Sequence, residues 1–203
     1  MSLFKRLFVL GALLFAVPVF AQSAPPADAP KPKVGDSFDV ADTFLGVKCK
    51  HWVLKDLDRG GYLIWQCEDK LVYLSADHGF ALVKILTDKG QVLASYTPYL
   101  PPLAWPLAIG KKWSGRYSGY TVAVGTSWEA DSICEVKAIE PLRIGGRDVW
   151  TYRYDCADNW WSGILSGTAY SSGWYAPQAK IVVKAVLTGN PNADWQIVGF
   201  STR

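Results

Sequence analysis

The sequence is poor in the residues that enzymes and metalloproteins most often use. Its 203 residues include two histidines, His51 and His78, and contain no G-x-S-x-G motif, phosphate-binding loop or dinucleotide-binding fingerprint. A serine–histidine triad needs a histidine beside a positioned serine, and most metal sites use several histidines or clustered carboxylates. We expect His51 to pack within the fold and His78 to lie in an exposed turn. The sequence therefore predicts no catalytic residue, no metal site and no cofactor.

An excess of charge of one sign is missing as well. The chain carries 21 lysines and arginines against 18 acidic residues, and no run of basic residues occurs. This balance argues against nucleic-acid binding and against electrostatic attachment to anionic membranes. Beyond the amino terminus, no apolar run approaches the ~20 residues that a membrane-spanning helix needs. We expect no nucleic-acid partner and no transmembrane segment in the mature chain.

The amino terminus has the features of a secretory signal peptide over residues 1–21. Lys5 and Arg6 supply a positive start, residues 7–17 are apolar, and the end of the segment fits the small-x-small pattern for cleavage after Ala21. An uncleaved membrane anchor is the alternative, but the apolar run is short for a span. The sequence thus predicts a protein that is periplasmic or secreted.

The rest of the chain predicts one domain behind a short leader. Residues 22–33 are rich in alanine and proline and show no apolar periodicity, which is typical of a disordered segment. Residues 34–203 are long enough for a single all-β domain with a core of its own.

Four cysteines lie in this domain, and an even number in an exported chain favours two disulfides. Three pairing schemes are possible, and strand geometry favours the local one, Cys49–Cys67 with Cys134–Cys156. A four-cysteine zinc site is the alternative. No two cysteines are closer than eighteen residues, however, whereas zinc ligands usually come in pairs about two to four residues apart.

The second cysteine pair predicts a clamped β-hairpin that organises the chain. Its two arms alternate apolar and polar residues about a Gly145-Gly146 turn, a combination typical of an antiparallel hairpin. The predicted register pairs Cys134 with Cys156, Val136 with Tyr154, and Ala138 with Tyr152.

The first cysteine pair predicts a similar hairpin between residues 44–54 and 62–67, with a polar, glycine-containing turn between them. Its predicted register pairs Cys49 with Cys67, His51 with Trp65, and Val53 with Leu63.

Short apolar runs separated by glycine-containing turns predict about ten strands and no amphipathic helix. Residues 98–106 hold four of the twelve prolines and predict a rigid loop, residues 158–163 predict another loop, and Gly119 predicts a bulge or bend. We expect an all-β fold: a curved antiparallel sheet or open half-barrel of about ten strands, stapled by two local disulfides. A sandwich is the alternative.

The most unusual feature of the composition is its ten tryptophans and ten tyrosines. They either fill a core, because large aromatic side chains bury much area, or line a concave binding surface. Trp160 and Trp161 are adjacent, so on an extended chain they face opposite ways and one is expected to be partly exposed. The candidate ligand-binding residues are Trp113, Tyr117, Trp150, Tyr152, Trp160, Trp161 and Trp174.

Three motifs in the region from Pro106 to Phe200 resemble a family of exported bacterial proteins defined as a domain of unknown function. They are PLAIGKKWSGRYSG, a V-x-x-I-x-P-x-x-x-G-G-R-D hairpin, and SGWYAPQAKIVVKAV. The resemblance implies a curved antiparallel sheet, distantly like the periplasmic lipoprotein carriers. This chain differs from those carriers because it lacks clear lid helices.

These observations favour an exported, non-catalytic binding or scaffolding protein of the periplasm, with a concave aromatic face for an apolar ligand or a cell-envelope partner. A carbohydrate-binding module is the alternative, and an unrecognised hydrolase is a third. A deep apolar cavity above roughly 300 Å³ would favour a lipid-type ligand. A shallow groove with exposed tryptophans would favour a sugar, and two facing carboxylates would favour a hydrolase.

Overall fold

The computed structural model describes residues 25–76, 81–100 and 103–203. The predicted signal peptide over residues 1–21 and the turn that contains His78 lie outside these ranges. Within them, no helix is long and apolar enough to cross a lipid bilayer.

In the described part of the chain, twelve strands form one antiparallel sheet in which each strand pairs with its neighbours in sequence. Their bounds are β1 Ser37–Val40, β2 His51–Leu57, β3 Tyr62–Cys67, β4 Lys70–Ser75, β5 Ala81–Thr87, β6 Val92–Thr97, β7 Lys112–Thr121, β8 Ser127–Ile144, β9 Arg147–Ser162, β10 Leu165–Ala176, β11 Ile181–Leu187 and β12 Trp195–Ser201, with a 3-10 turn over Pro191–Ala193.

The first strand closes this sheet into a barrel. β1 pairs with β2 on one side and with β12 on the other, so that Ser37 lies opposite both Val53 and Ser201. The prediction of an all-β antiparallel fold with two disulfides is confirmed, but the open half-barrel of about ten strands is wrong. β1 has only four residues. In so short a segment, the alternation of apolar and polar residues cannot distinguish a strand from an irregular segment that precedes the domain.

The connections between strands alternate between the two ends of the barrel. We call the end with the β1–β2, β3–β4, β5–β6, β7–β8, β9–β10 and β11–β12 connections the upper end, and the opposite end the lower end. The long hairpin of β8 and β9 turns at the lower end, at Gly145 and Gly146, as predicted.

The lower end is covered by the start of the described chain and by the proline-rich connection between β6 and β7. Ala27 exchanges two backbone hydrogen bonds of 2.8 Å with Leu107, and both residues are buried. The Tyr152 hydroxyl donates to the carbonyl of Pro25. Pro25 and Ala27, within the stretch 22–33 that the sequence predicts as a disordered leader, thus have partners on the barrel.

The hairpin of the first disulfide has a different register from the predicted one. β2 begins at His51, so Cys49 lies in the β1–β2 connection. The alternation of side chains in the strand therefore cannot be counted from Cys49. Trp52 and Leu54 face the core and are fully buried. His51 is exposed on the other face, where its Nδ1 lies 2.7 Å from Asp39 Oδ1.

The organising hairpin forms largely as predicted, and both disulfides do: Cys49–Cys67 and Cys134–Cys156. Val136 lies opposite Tyr154, but a bulge after Val136 places Ile139, not Ala138, opposite Tyr152. β9 continues to Ser162, through most of the stretch 158–163 for which the sequence predicts a loop, because it pairs on both sides, with β8 and with β10.

The buried side chains form two clusters. Fully buried members of the larger cluster come from β1, β2, β3, β4 and β12, from the connection after β1 and from the lower part of the β8–β9 hairpin: Phe38, Phe44, Trp52, Leu54, Leu63, Val72, Ile144, Val149 and Ile197. The smaller cluster, at the lower end, contains Leu107, Val136, Tyr152 and Tyr175.

Candidate functional site

A cavity of about 490 Å³ lies inside the barrel, lined by residues of β4 to β12 and of the connections at both ends. Side chains can just fill an eight-stranded barrel, so a twelve-stranded barrel has room for open space inside. The lining extends from Leu45 and Gly46 in the upper β1–β2 connection to Leu100 and Leu103 in the lower β6–β7 connection. The cavity therefore follows the barrel axis from one end towards the other.

The cavity lining is mainly aromatic and aliphatic. Leucine, isoleucine, valine and alanine side chains of β4, β5, β10 and β11 face the rings across the space. The aromatic lining residues are Phe44, Tyr96, Tyr117, Trp128, Tyr154, Trp160, Tyr175 and Trp195.

Three inward aromatic rings lie against glycines on the neighbouring strand. The cross-strand pairs are Gly119 with Trp128, Gly167 with Trp160, and Gly173 with Tyr154. A methyl group added at Gly119, Gly167 or Gly173 would lie 2.5, 3.1 or 2.3 Å from its ring partner, respectively. Each ring thus lies along the wall, over a glycine, rather than projecting into the space. We attribute the open cavity in part to these three pairs.

Of the bulge or bend predicted at Gly119, the bulge is wrong, because β7 keeps an unbroken register with β8 through this position. Gly119 instead allows the indole of Trp128 to pack against the strand, because an added side chain would overlap that ring.

The strand register arranges the inner wall of β7 to β10 in rows. Moving down from the upper end, the rows contain Tyr117, Ala130, Trp160 and Gly167, then Gly115, Ser132, Asp158 and Ala169, then Trp113, Cys134, Cys156 and Ser171. Asp158 is therefore flanked by small residues. A methyl group added at Gly115 would meet no atom within 4 Å, so space remains on this row.

Asp158 gives the cavity its one carboxyl group among the described lining residues. Burial raises the pKa of Asp158 above its ordinary value, while the hydroxyls of Ser132 and Tyr117 act in the opposite direction. The Asp158 Oδ1 atom is buried without a hydrogen-bond partner in the described part of the chain. Burial also raises the pKa of Tyr117, and the Asp158 carboxylate adds to that shift.

No cationic side chain faces this carboxyl from the described lining, which contains no lysine, arginine or histidine. Nor do three or more histidine, cysteine, aspartate or glutamate side chains come together as metal ligands anywhere in the described ranges. The cavity thus has one acidic group in otherwise neutral, mainly apolar surroundings.

Two of the seven predicted ligand-binding residues, Tyr117 and Trp160, line the cavity. Trp113 faces inward below it and packs against Tyr154, with ring centroids 5.8 Å apart. Tyr152 is buried among the residues that cover the lower end.

The other three predicted residues lie away from the cavity. Trp150 is 58% exposed near the lower hairpin turn. Trp161 lies on the outer face of β9, with the Arg116 guanidinium 5.3 Å from its ring. Trp174 donates from Nε1 to Glu140 Oε1 at 2.5 Å and is buried.

Sequence reasoning missed Trp128, Tyr154 and Asp158 as lining residues. All three have even residue numbers, as do Cys134 and Cys156, and residues that alternate in step with these cysteines face the inside of the barrel on β8 and β9. This alternation also applies to Asp158, but the polar stretch 158–163 resembles a loop and hides the continuation of the strand.

Comparison with solved structures shows a related fold. The hypothetical lipoprotein YmcC from Escherichia coli K12 aligns over 88% of this chain and 90% of its own length, with 13% identity and a TM-score of 0.52. A Bacteroides fragilis protein described as exported, with a YmcC-like fold, aligns over 87% of this chain and 100% of its own, with 10% identity and a TM-score of 0.47. No protein-family model and no curated protein matches.

At 13% identity the likeness to YmcC shows a shared fold. The two disulfides independently favour an extracytoplasmic location. Cleavage after Ala21, a periplasmic rather than secreted destination, and a distant relation to lipoprotein carriers stay predictions.

Proposed function

We propose that this chain is an exported, non-catalytic binding protein that holds an apolar ligand inside its barrel. The observation that carries the proposal is the cavity of about 490 Å³ with a mainly apolar lining. Its volume lies within the range of small-molecule sites, which are concave, largely apolar and formed before the ligand arrives.

The position of the aromatic residues supports an apolar ligand over a sugar. Sugar-binding surfaces present exposed rings in a shallow groove, whereas Tyr117 is buried and Trp128 and Trp160 lie against wall glycines inside the barrel. Trp150 is well exposed but lies near the lower hairpin turn and is not among the lining residues of the cavity.

A hydrolase has less support. Glycoside hydrolysis generally uses two carboxyl groups facing each other across the scissile bond. Among the described lining residues Asp158 has no carboxyl partner. A binding role therefore fits this cavity better than a hydrolytic role does.

Titration with dodecanol tests the proposal, because tryptophans of the lining report occupancy through their fluorescence. We expect saturable binding by the wild-type protein. Ala185 lines the cavity, where it pairs with Gly173 and Trp195, so Ala185→Phe should occupy the space and abolish binding.

The matched control is Ala157→Phe, the same substitution on the outer face of β9. Ala157 lies between Ile133 and Tyr170, which are 58% and 57% exposed. This variant should bind dodecanol like the wild type. Equal binding by all three proteins would place the ligand outside the barrel, and no binding by the wild type would reject the proposal.

A further inference from the structure

The polar part of the cavity is concentrated at Asp158. Its row on the inner wall consists otherwise of Gly115, Ser132 and Ala169, the smallest set of side chains on that wall. The open space beside Gly115 shows that this row is not filled by its neighbours. A ligand in the cavity can therefore place a head group next to the carboxyl.

The protein itself leaves this carboxyl only partly satisfied. A carboxylate offers about four acceptor positions. Only the neutral hydroxyls of Ser132 and Tyr117 act on it, and Oδ1 has no partner among the described residues. A buried charge without a counter-charge is costly, and a cationic hydrogen-bond donor relieves that cost.

The Asp158 row lies between two bulkier ones. Above it are the rings of Tyr117 and Trp160, and below it is the Cys134–Cys156 disulfide. Apolar surface therefore borders the carboxyl on both sides along the barrel axis. This arrangement matches a molecule with a compact polar head and an apolar body.

We infer that the ligand is an amphiphile with a protonated amine head, held by Asp158, and with its apolar body along the aromatic wall. This inference rests on the proposed binding function and specifies the chemistry of the ligand. Asp158 acts here as a specificity-determining residue, because an anionic head of the same size is repelled by its carboxylate.

Three probes that share a twelve-carbon chain distinguish the effect of the head group from that of the apolar body. They are dodecylamine, dodecanol and dodecanoate, with the alcohol titrated below its solubility limit and the two ionic probes below their critical micelle concentrations. For the wild type we expect binding to decrease in the order amine, alcohol, acid. In Asp158→Asn the Kd of the amine should rise about tenfold, in line with the loss of one charge-assisted hydrogen bond. Dodecanol should bind this variant within about twofold of the wild type, and dodecanoate should bind it more tightly.

The control is Asp148→Asn, which removes the same charge from an exposed carboxylate paired with Arg143 near the lower hairpin turn. It should leave all three affinities unchanged. Equal affinity of the wild type for amine and acid, or an amine affinity insensitive to Asp158→Asn, would overturn the inference and leave the binding function standing. Failure of every probe to bind the wild type would instead overturn the binding function.

Discussion

At the scale of single residues, the glycines opposite aromatic rings decide how the barrel interior is used. Gly173 and Tyr154 form the closest of these pairs, with 2.3 Å between an added methyl carbon and the ring. Gly115, on the same inner wall, has open space at the corresponding position. The two glycines thus differ in packing but not in the side of the sheet that they face.

We predict that Gly173→Ala lowers the free energy of unfolding by about 1–3 kcal/mol, the usual range for overpacking in a well-packed interior. Gly115→Ala is the matched control. It should be neutral or slightly stabilising, because alanine restricts the unfolded chain and meets nothing in the folded one. Chemical denaturation of both variants measures the difference. Equal stabilities would show that Tyr154 does not depend on this glycine.

We predict that the carboxyl of Asp158 makes the stability of the fold decrease as the pH rises. Burial raises its pKa above the ordinary value of 3.8, so the folded state binds its proton more tightly than the unfolded state. The stability that this group contributes is then fully present below pH 3.8 and is lost as the pH rises through the folded pKa. Asp158→Asn should therefore gain stability relative to the wild type at pH 7 and less at pH 3. Thermal unfolding at both pH values measures this, and a gain that is larger at pH 3 would contradict it.

At the scale of elements, a buried carboxylate connects three segments at the lower end. Asp36 is 2% exposed and precedes β1. Its Oδ1 accepts from the backbone N–H of Arg203 at 2.6 Å, and its Oδ2 accepts from the N–H of Lys33 at 2.8 Å and from Lys180 Nζ at 3.0 Å. The strand that closes the barrel is thereby fixed to the β10–β11 connection and to the carboxyl-terminal segment.

We predict that Asp36→Ala lowers the free energy of unfolding by about 2–3 kcal/mol, because it removes the counter-charge of the partly buried Lys180 ammonium and the acceptor of two backbone N–H groups. Burial alone would raise the pKa of Asp36, but its three hydrogen bonds lower it below 3.8. Its contribution is therefore present above pH 3.8 and is lost as the pH falls through the folded pKa. Denaturation at pH 7 and at pH 2 should show a deficit that narrows at low pH.

Asp148→Ala serves as the control for this substitution, since Asp148 is an exposed carboxylate whose ion pair with Arg143 should contribute little. A similar loss in both variants would show that the buried connection at Asp36 has no special role.

The disulfide between β8 and β9 stabilises the longest hairpin of the fold. Replacing both Cys134 and Cys156 by alanine should lower the free energy of unfolding by about 2–5 kcal/mol. Cys134→Ala alone should expose one thiol, at Cys156. Thiol titration with peptide mapping locates it, and modification at Cys49 or Cys67 instead would contradict the pairing.

Elements with long, regular alternation were predictable from sequence, whereas short or interrupted ones were not. The alternation that starts at Cys134 continues to Val136, so the sequence correctly predicts their partners, Cys156 and Tyr154, and the bulge after Val136 ends the agreement. The same extrapolation fails from Cys49, because the chain leaves strand geometry between that residue and His51.

At the scale of the whole molecule, closure depends on contacts that leave no local signal. Ser37 pairs with Ser201 across nearly the full length of the domain, and β1 is only four residues long. The cavity depends on closure of the barrel and on the positions of three glycines opposite aromatic rings. These are relations between residues on different strands. The composition therefore indicated that aromatic residues are important, but it could not indicate which of them line the cavity.

Native mass spectrometry of the protein isolated from its own cells tests the central claim most directly. We predict that the wild type and Ala157→Phe retain a bound apolar molecule that appears as a discrete added mass, and that Ala185→Phe does not. An added mass retained equally by Ala185→Phe, or a wild-type protein without any added mass, would contradict an occupied cavity inside the barrel.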